Sequence, residues 1–224
     1  MQRTFSKANR RLVVAGLGVF SFLAIGANSA KAALIESWEN TLDGWVIPPS
    51  YNPQPTYAPV TSFSTTSGVT NGSYSLVVAG TGTGSPNYGQ FGYSPSTLAI
   101  TNILATASAI TLDVYTPPAS FGYYLQWQLI INGGGLGFDQ LPGQPSASIG
   151  NETTLSWPIT PAMDATLAAS NSPAQIILQV GGGYSAGNET MYLDNLQTVS
   201  APEPASIGLL GAAGLLTLRR RHRA

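Results

Sequence analysis

The stretch Tyr123-Tyr124-Leu125-Gln126-Trp127-Gln128-Leu129-Ile130-Ile131-Asn132 decides the fold. Its side chains sort with a period of two. Tyr123, Leu125, Trp127, Leu129 and Ile131 fall on one face, and Tyr124, Gln126, Gln128, Ile130 and Asn132 on the other. That is a strand with one face in a core. Related alternation marks 74–78, 110–115, 154–159, 175–180 and 191–199. Ile110, Leu112 and Val114 point inward, as do Ile176, Leu178 and Val180; Asp113, Tyr115, Gln175 and Gln179 point outward. Between these runs, 81–87, Pro117-Pro118 and Pro142-Gly143-Gln144-Pro145 read as loops. Gly133-Gly134-Gly135 and Gly181-Gly182-Gly183 read as turns, 160–171 as room for one short helix, and 46–62 as an extended surface loop. Many strands without amphipathic helices predict an all-β protein, a two-sheet antiparallel sandwich. Trp38, Trp45, Trp127 and Trp157 read as core or loop packing.

Charge is distributed with unusual asymmetry. The 9 Lys and Arg residues sit at 3, 7, 10, 11, 31, 219, 220, 221 and 223, and the single His at 222. The 10 Asp and Glu residues all lie between these two basic ends. The interval 33–201 therefore carries acids and no base, which argues against nucleic acid as a partner and favours divalent cations. It also lacks Cys. No Ser-His-Asp triad, Cys nucleophile, catalytic Lys or His-ligated zinc can be assembled there, so the protein reads as no enzyme. Paired carboxylates are the only acid–base chemistry left open.

The two ends read as export signals. Arg3, Lys7, Arg10 and Arg11 precede an apolar run over 12–25, and Ala30-Lys31-Ala32 is a small-x-small cleavage site. Residues 1–32 are thus expected to be a signal peptide, with Sec favoured over Tat. At the other end stand Pro202-Glu203-Pro204, an uncharged run over 205–218, and the cluster Arg219, Arg220, Arg221 and Arg223 around His222. Prolines hold the motif extended, the apolar run is a short membrane helix, and arginines stay on the cytoplasmic side. This order resembles the PEP-CTERM sorting tail of exported bacterial surface proteins. The resemblance implies an exosortase-like protease as partner and transient anchoring through a C-terminal transmembrane helix. The destination would be the cell surface or extracellular matrix. Domain organisation follows as 1–32 signal peptide, 33–201 exported domain and 202–224 sorting tail.

Within 33–201, Ser37-Trp38-Glu39-Asn40-Thr41-Leu42-Asp43-Gly44-Trp45 opens the domain, Gly72-Ser73-Tyr74-Ser75-Leu76-Val77-Val78 follows, and Tyr192-Leu193-Asp194-Asn195-Leu196 closes it. This sequence of motifs resembles the jelly roll of carbohydrate-binding modules and galactose-binding-like domains. The resemblance implies a structural calcium tying the first strand to the last through Glu39 and Asp194, with backbone carbonyls over 71–75. The competing reading makes Glu39 a solvated turn residue and leaves Asp194 bonded to backbone in a tight corner. If the outward residues of neighbouring strands combine, Tyr115, Tyr124, Gln126, Gln128 and Gln179 form a face suited to polysaccharide. Sugar C–H groups pack on aromatic rings and amides pair with hydroxyls. The same face could be polar for solubility alone. Two functions are compatible with this chain: a glycan-binding surface protein, or a structural or adhesive one with protein partners.

Overall fold

A computed structural model describes residues 32–46, 60–82, 87–118, 125–182 and 187–200. The segments expected to be a signal peptide (through residue 31) and a sorting tail (Pro202 to Arg223), and Tyr124, lie outside the described residues.

The strands in chain order are β1 (Leu34–Glu36), β2 (Val60–Ser64), β3 (Ser75–Gly82), β4 (Asn87–Tyr93), β5 (Ala107–Tyr115), β6 (Leu125–Gly133), β7 (Phe138–Gln140), β8 (Ser146–Ala147), β9 (Glu152–Pro158), β10 (Ala174–Gly182) and β11 (Gly187–Ser200). Helix α1 (Leu98–Leu104) precedes β5, and α2 (Pro161–Ala168) precedes β10. A six-stranded sheet runs β2-β3-β11-β5-β9, with β1 added against β11. A five-stranded sheet runs β4-β10-β6-β7, with β8 against β6. The chain steps from the larger sheet to the smaller between β3 and β4, between β5 and β6, and between β9 and β10. Every ladder between named strands is antiparallel, the layout of a jelly-roll sandwich.

The period-two reading places the core correctly. Leu125, Trp127, Leu129 and Ile131 of β6 are each 0% exposed, and so are Ile110 and Leu112 of β5 and Trp157 of β9. Ile176 and Leu178 of β10 join them from the smaller sheet, Leu76 and Leu193 from the larger. Each such side chain contributes roughly 1.5–3 kcal/mol by leaving water. A core of this kind needs no disulfide, and the chain has no cysteine.

The helices cover one end of the sandwich. Both start on a threonine: the Thr97 Oγ1 accepts from the Ile100 amide at 3.2 Å, and the Thr160 Oγ1 from the Met163 amide at 3.3 Å. Pro161 occupies the first turn of α2, where its missing N–H costs nothing. The short helix expected over 160–171 is therefore present, capped where the sequence places Thr160-Pro161. Helix α1 was not legible, because a seven-residue helix shows too few turns for a 3.6 period.

Three expectations are corrected. Gly181 and Gly182 are not a turn; both lie inside β10, opposite Gln126 and Leu125. The loop reading of 46–62 fails at its C-terminal end, where β2 begins at Val60. The loop expected over 81–87 shrinks, since β3 reaches Gly82 and β4 starts at Asn87. Gly133 and Gly134, by contrast, do turn the chain, at φ 95° and 59°; a Cβ on Gly133 would strike the Pro173 carbonyl.

Candidate functional site

The outward rows of β6 and β10 lie side by side. Gln179 stands opposite Gln128, Ile177 opposite Ile130, and Gln175 opposite Asn132. Directly opposed residues share a face, so four amides gather on the outer surface of the five-stranded sheet. Gln126 lies opposite Gly181, which has no side chain to crowd it. On one side β4 adds Tyr93, opposite Ile177; on the other β7 adds Gln140 opposite Ile130 and Phe138 opposite Asn132. Phe138 is 61% exposed. Three inter-strand steps of about 4.8 Å set the strands of the two bordering aromatics roughly 14 Å apart. An amide row bounded by Tyr93 and Phe138 results.

The middle of this row is not open to solvent. Ile130 and Ile177 are each 2% exposed although they point away from the core, and Gln128 is 8% exposed. Gln126 and Gln179 are half-buried, and Asn132 and Gln140 are exposed. Gln175 is committed to the frame, its Nε2 donating to the Ser94 carbonyl at 2.8 Å, while the Ser94 Oγ accepts from the Ile176 amide at 2.8 Å.

Tyr115 does not belong to this surface. It lies on β5 in the other sheet, opposite Tyr192 of β11, with ring centroids 5.7 Å apart and planes at 39°. The chain changes sheets between β5 and β6, and strand parity cannot register such a step. Tyr93 supplies the aromatic instead. Its strand was missed because Gly89 and Gly92 interrupt the alternation of 87–93.

Glu39 and Asp194 both hold one loop, 65–74, against the larger sheet. Asp194, 0% exposed, accepts at Oδ2 from the Thr70 and Asn71 amides at 2.6 and 2.7 Å and from the Thr70 hydroxyl at 3.3 Å. Its Oδ1 accepts from the Asn195 amide at 2.7 Å, in a bulge where Asn195 takes φ 54°. Burial pushes the Asp194 carboxyl above its ordinary 3.8, against the pull of the Asn71 and Thr70 amides. The Glu39 carboxylate accepts from the Ser73 amide at 2.9 Å, and Gly72 at φ 73° is required because any Cβ there would overlap it.

Asp194 is thus engaged by backbone amides in a tight corner, as the competing reading has it. Calcium asks for about six to eight oxygens turned toward it. Here three N–H donors face the Asp194 carboxylate and one, from Ser73, faces that of Glu39, and the described residues contain no group of three acidic or other metal-ligating side chains. Asp113, directly opposite Asp194, is likewise engaged, accepting from Thr154 Oγ1 at 2.6 Å, Thr70 Oγ1 at 2.7 Å and Asn195 Nδ2 at 2.9 Å.

No protein-family model matches the chain. No curated protein matches it either. Among solved structures it is similar to a carbohydrate-binding module from the β-sandwich superfamily, the subject of work on promiscuous specificity, at 14% identity and a TM-score of 0.52. That match covers 77% of this chain and 62% of the other, so this chain spans less than two thirds of that relative. A second is a carbohydrate-binding module specific for non-crystalline cellulose, at 14% identity and a TM-score of 0.52, over 75% of this chain and 96% of that one. At such identity the likeness is one of fold: the described domain has the β-sandwich architecture found in carbohydrate-binding modules.

Proposed function

We propose that this protein is an exported, non-enzymatic surface protein that binds polysaccharide on the solvent-reached parts of the outer face of its five-stranded sheet. The observation that carries the reading is the amide row of Gln126, Gln179, Asn132 and Gln140 bounded by Tyr93 and Phe138. Amides offer both a donor and an acceptor to adjacent hydroxyls, and aromatic borders receive the C–H faces of sugar rings. The fold shared with carbohydrate-binding modules supports this reading. With no Lys, Arg or His among the described residues, the surface has nothing to attract an anionic polymer.

Export and sorting form part of the same proposal. Its support is in the sequence: the basic and apolar start, the Ala30-Lys31-Ala32 site, and the Pro202-Glu203-Pro204 tail with Arg219, Arg220, Arg221 and Arg223. The described fold fits between them, β1 starting at Leu34 and β11 ending at Ser200. An exosortase-like protease acting near Glu203 would release or re-anchor the domain.

The test is binding of the purified protein to a panel of neutral soluble polysaccharides. Saturable binding is expected, weakened about tenfold or more in Gln126→Ala or Phe138→Ala and unaltered in Tyr115→Ala. Binding that survives both substitutions, or none across the panel, would turn attention to protein partners and an adhesive role.

A further inference from the structure

The chain holds two Asn-Gly pairs, Asn71-Gly72 and Asn132-Gly133, and the fold treats them in opposite ways. In such a pair the asparagine side chain lies within reach of the next backbone nitrogen, and glycine has no Cβ to shield that nitrogen. Asn132 stands near the end of β6, laddered to Gln175 of β10 on one side and to Phe138 of β7 on the other. The Gly133 N–H donates to the Gly137 carbonyl at 2.7 Å, so its nitrogen is committed to the turn. Asn71-Gly72 lies instead in loop 65–74, outside every named strand. Gly72 is exposed, and its N–H donates to no described residue. The Asn71 side chain is held only by its Nδ2, which donates to the Asn195 Oδ1 at the long distance of 3.5 Å. Its backbone is held more firmly, the Asn71 amide donating to the Asp194 Oδ2 at 2.7 Å.

We propose that Asn71-Gly72 is a self-modification site, converted to aspartate and isoaspartate in the folded protein, while Asn132-Gly133 is kept inert by its ladder. The Gly72 nitrogen gives up its proton and bonds to the Asn71 side-chain carbonyl carbon. The bond from that carbon to Nδ2 breaks, and Nδ2 leaves as ammonia with the proton. Water then opens the resulting five-membered imide. Addition at the side-chain carbonyl gives aspartate; addition at the backbone carbonyl gives isoaspartate, whose main chain runs through the side chain. Either product sets a new carboxylate among those of Asp194, Asp113 and Glu39, the first two directly opposed across β11 and β5 and the third packed against Gly72. The described residues hold no Lys, Arg or His to offset it. Isoaspartate also lengthens the backbone between the Asn71 amide, clasped by Asp194, and the Ser73 amide, clasped by Glu39 at 2.9 Å. Both clasps hold loop 65–74, and Gly68 of that loop sits directly on Tyr192, the partner of Tyr115. Modification therefore loosens the loop and uncovers this tyrosine pair, irreversibly and at a rate set by the fold.

The experiment incubates the purified protein at mildly alkaline pH and follows both pairs by peptide mass spectrometry, with isoaspartate counted by enzymatic methylation. Folded protein should convert Asn71 at least about tenfold faster than Asn132, because the Gly133 nitrogen reacts only when its turn and ladder open. In urea the two rates should converge, since both pairs then have the same local sequence chemistry. A folded protein in which Asn132 converts as fast as Asn71, or in which Asn71 stays intact while the unfolded chain reacts, overturns the proposal. The consequence is read separately. Aged wild-type protein should melt below fresh protein, and Asn71→Gln, whose longer side chain closes a larger and slower ring, should keep its melting temperature through the same incubation. An equal loss in Asn71→Gln would overturn the link between this site and the loop.

Discussion

Replacing Asp194 with alanine should destabilise the protein by about 3 kcal/mol, and the figure follows from what its carboxylate holds. Three backbone amides, of Thr70, Asn71 and Asn195, donate to it at 2.6–2.7 Å. A buried donor left without a partner costs roughly 1–3 kcal/mol. The lower end applies, because Thr70 is exposed and Asn71 and Asn195 are half-buried, so water can reach some of the orphaned groups. Removing a carboxylate whose burial is itself unfavourable returns part of the loss. In a domain of this size 3 kcal/mol corresponds to a fall of about 6–12 °C in melting temperature. Asp113→Ala is the matched control. Asp113 accepts only from side chains, those of Thr70, Thr154 and Asn195, which can rotate to water, so about 1 kcal/mol or less is expected. Urea denaturation followed by Trp fluorescence measures both. If Asp194→Ala costs no more than Asp113→Ala, the backbone clasp on loop 65–74 is not what Asp194 does.

Further outcomes are expected. Gly72→Ala should cost about 1–3 kcal/mol, because its φ of 73° is strained for alanine and the new methyl displaces Glu39; Gly137→Ala, at φ 77° but with open space around it, should cost about 1 kcal/mol, and thermal melts distinguish them. Stability should fall as pH rises. The folded-state pKa values of Glu36 and Asp194 both stand above the ordinary 4.5 and 3.8, so the native state holds more protons than the unfolded chain in that window. Their contribution is complete below the ordinary values and is lost as pH passes the raised ones; a urea midpoint that increases from mildly acid to neutral pH would contradict this. Chelator should leave the melting temperature unchanged, since Glu39 and Asp194 are occupied by amides; a marked drop would restore calcium to that loop.

The sequence reading succeeded where the information is local. Alternation over 125–131 reports which side chains face the core, because the pleat repeats every two residues whatever the sheet. The short helix within 160–171 was readable for a similar reason, as it is a local segment of the chain. The site was only half legible. Gln126, Gln128 and Gln179 do share one sheet face because β6 and β10 pair, yet Tyr115 was grouped with them although β5 lies in the other sheet. Tyr93 and Phe138 escaped notice because their strands are glycine-interrupted or three residues long, too weak a pattern to register. The Glu39 and Asp194 motifs did identify residues that meet a common loop, but nothing in a motif distinguishes a carboxylate facing N–H groups from one facing a cation.

The position of β11 has a kinetic consequence. This last strand lies between β3 and β5 and also receives β1, joining residues as distant as Ala33 and Thr198, separated by 165 positions. Until β11 inserts, β3 and β5 each present an unpaired edge, and the larger sheet exists only as fragments. Topologies dominated by such distant pairings fold slowly, and exposed strand edges recruit other chains. A chain truncated before Gly187 should therefore aggregate rather than form a smaller sandwich. The folding of the domain is completed by its C-terminal strand, so the larger sheet closes only after nearly all of the described chain has been made.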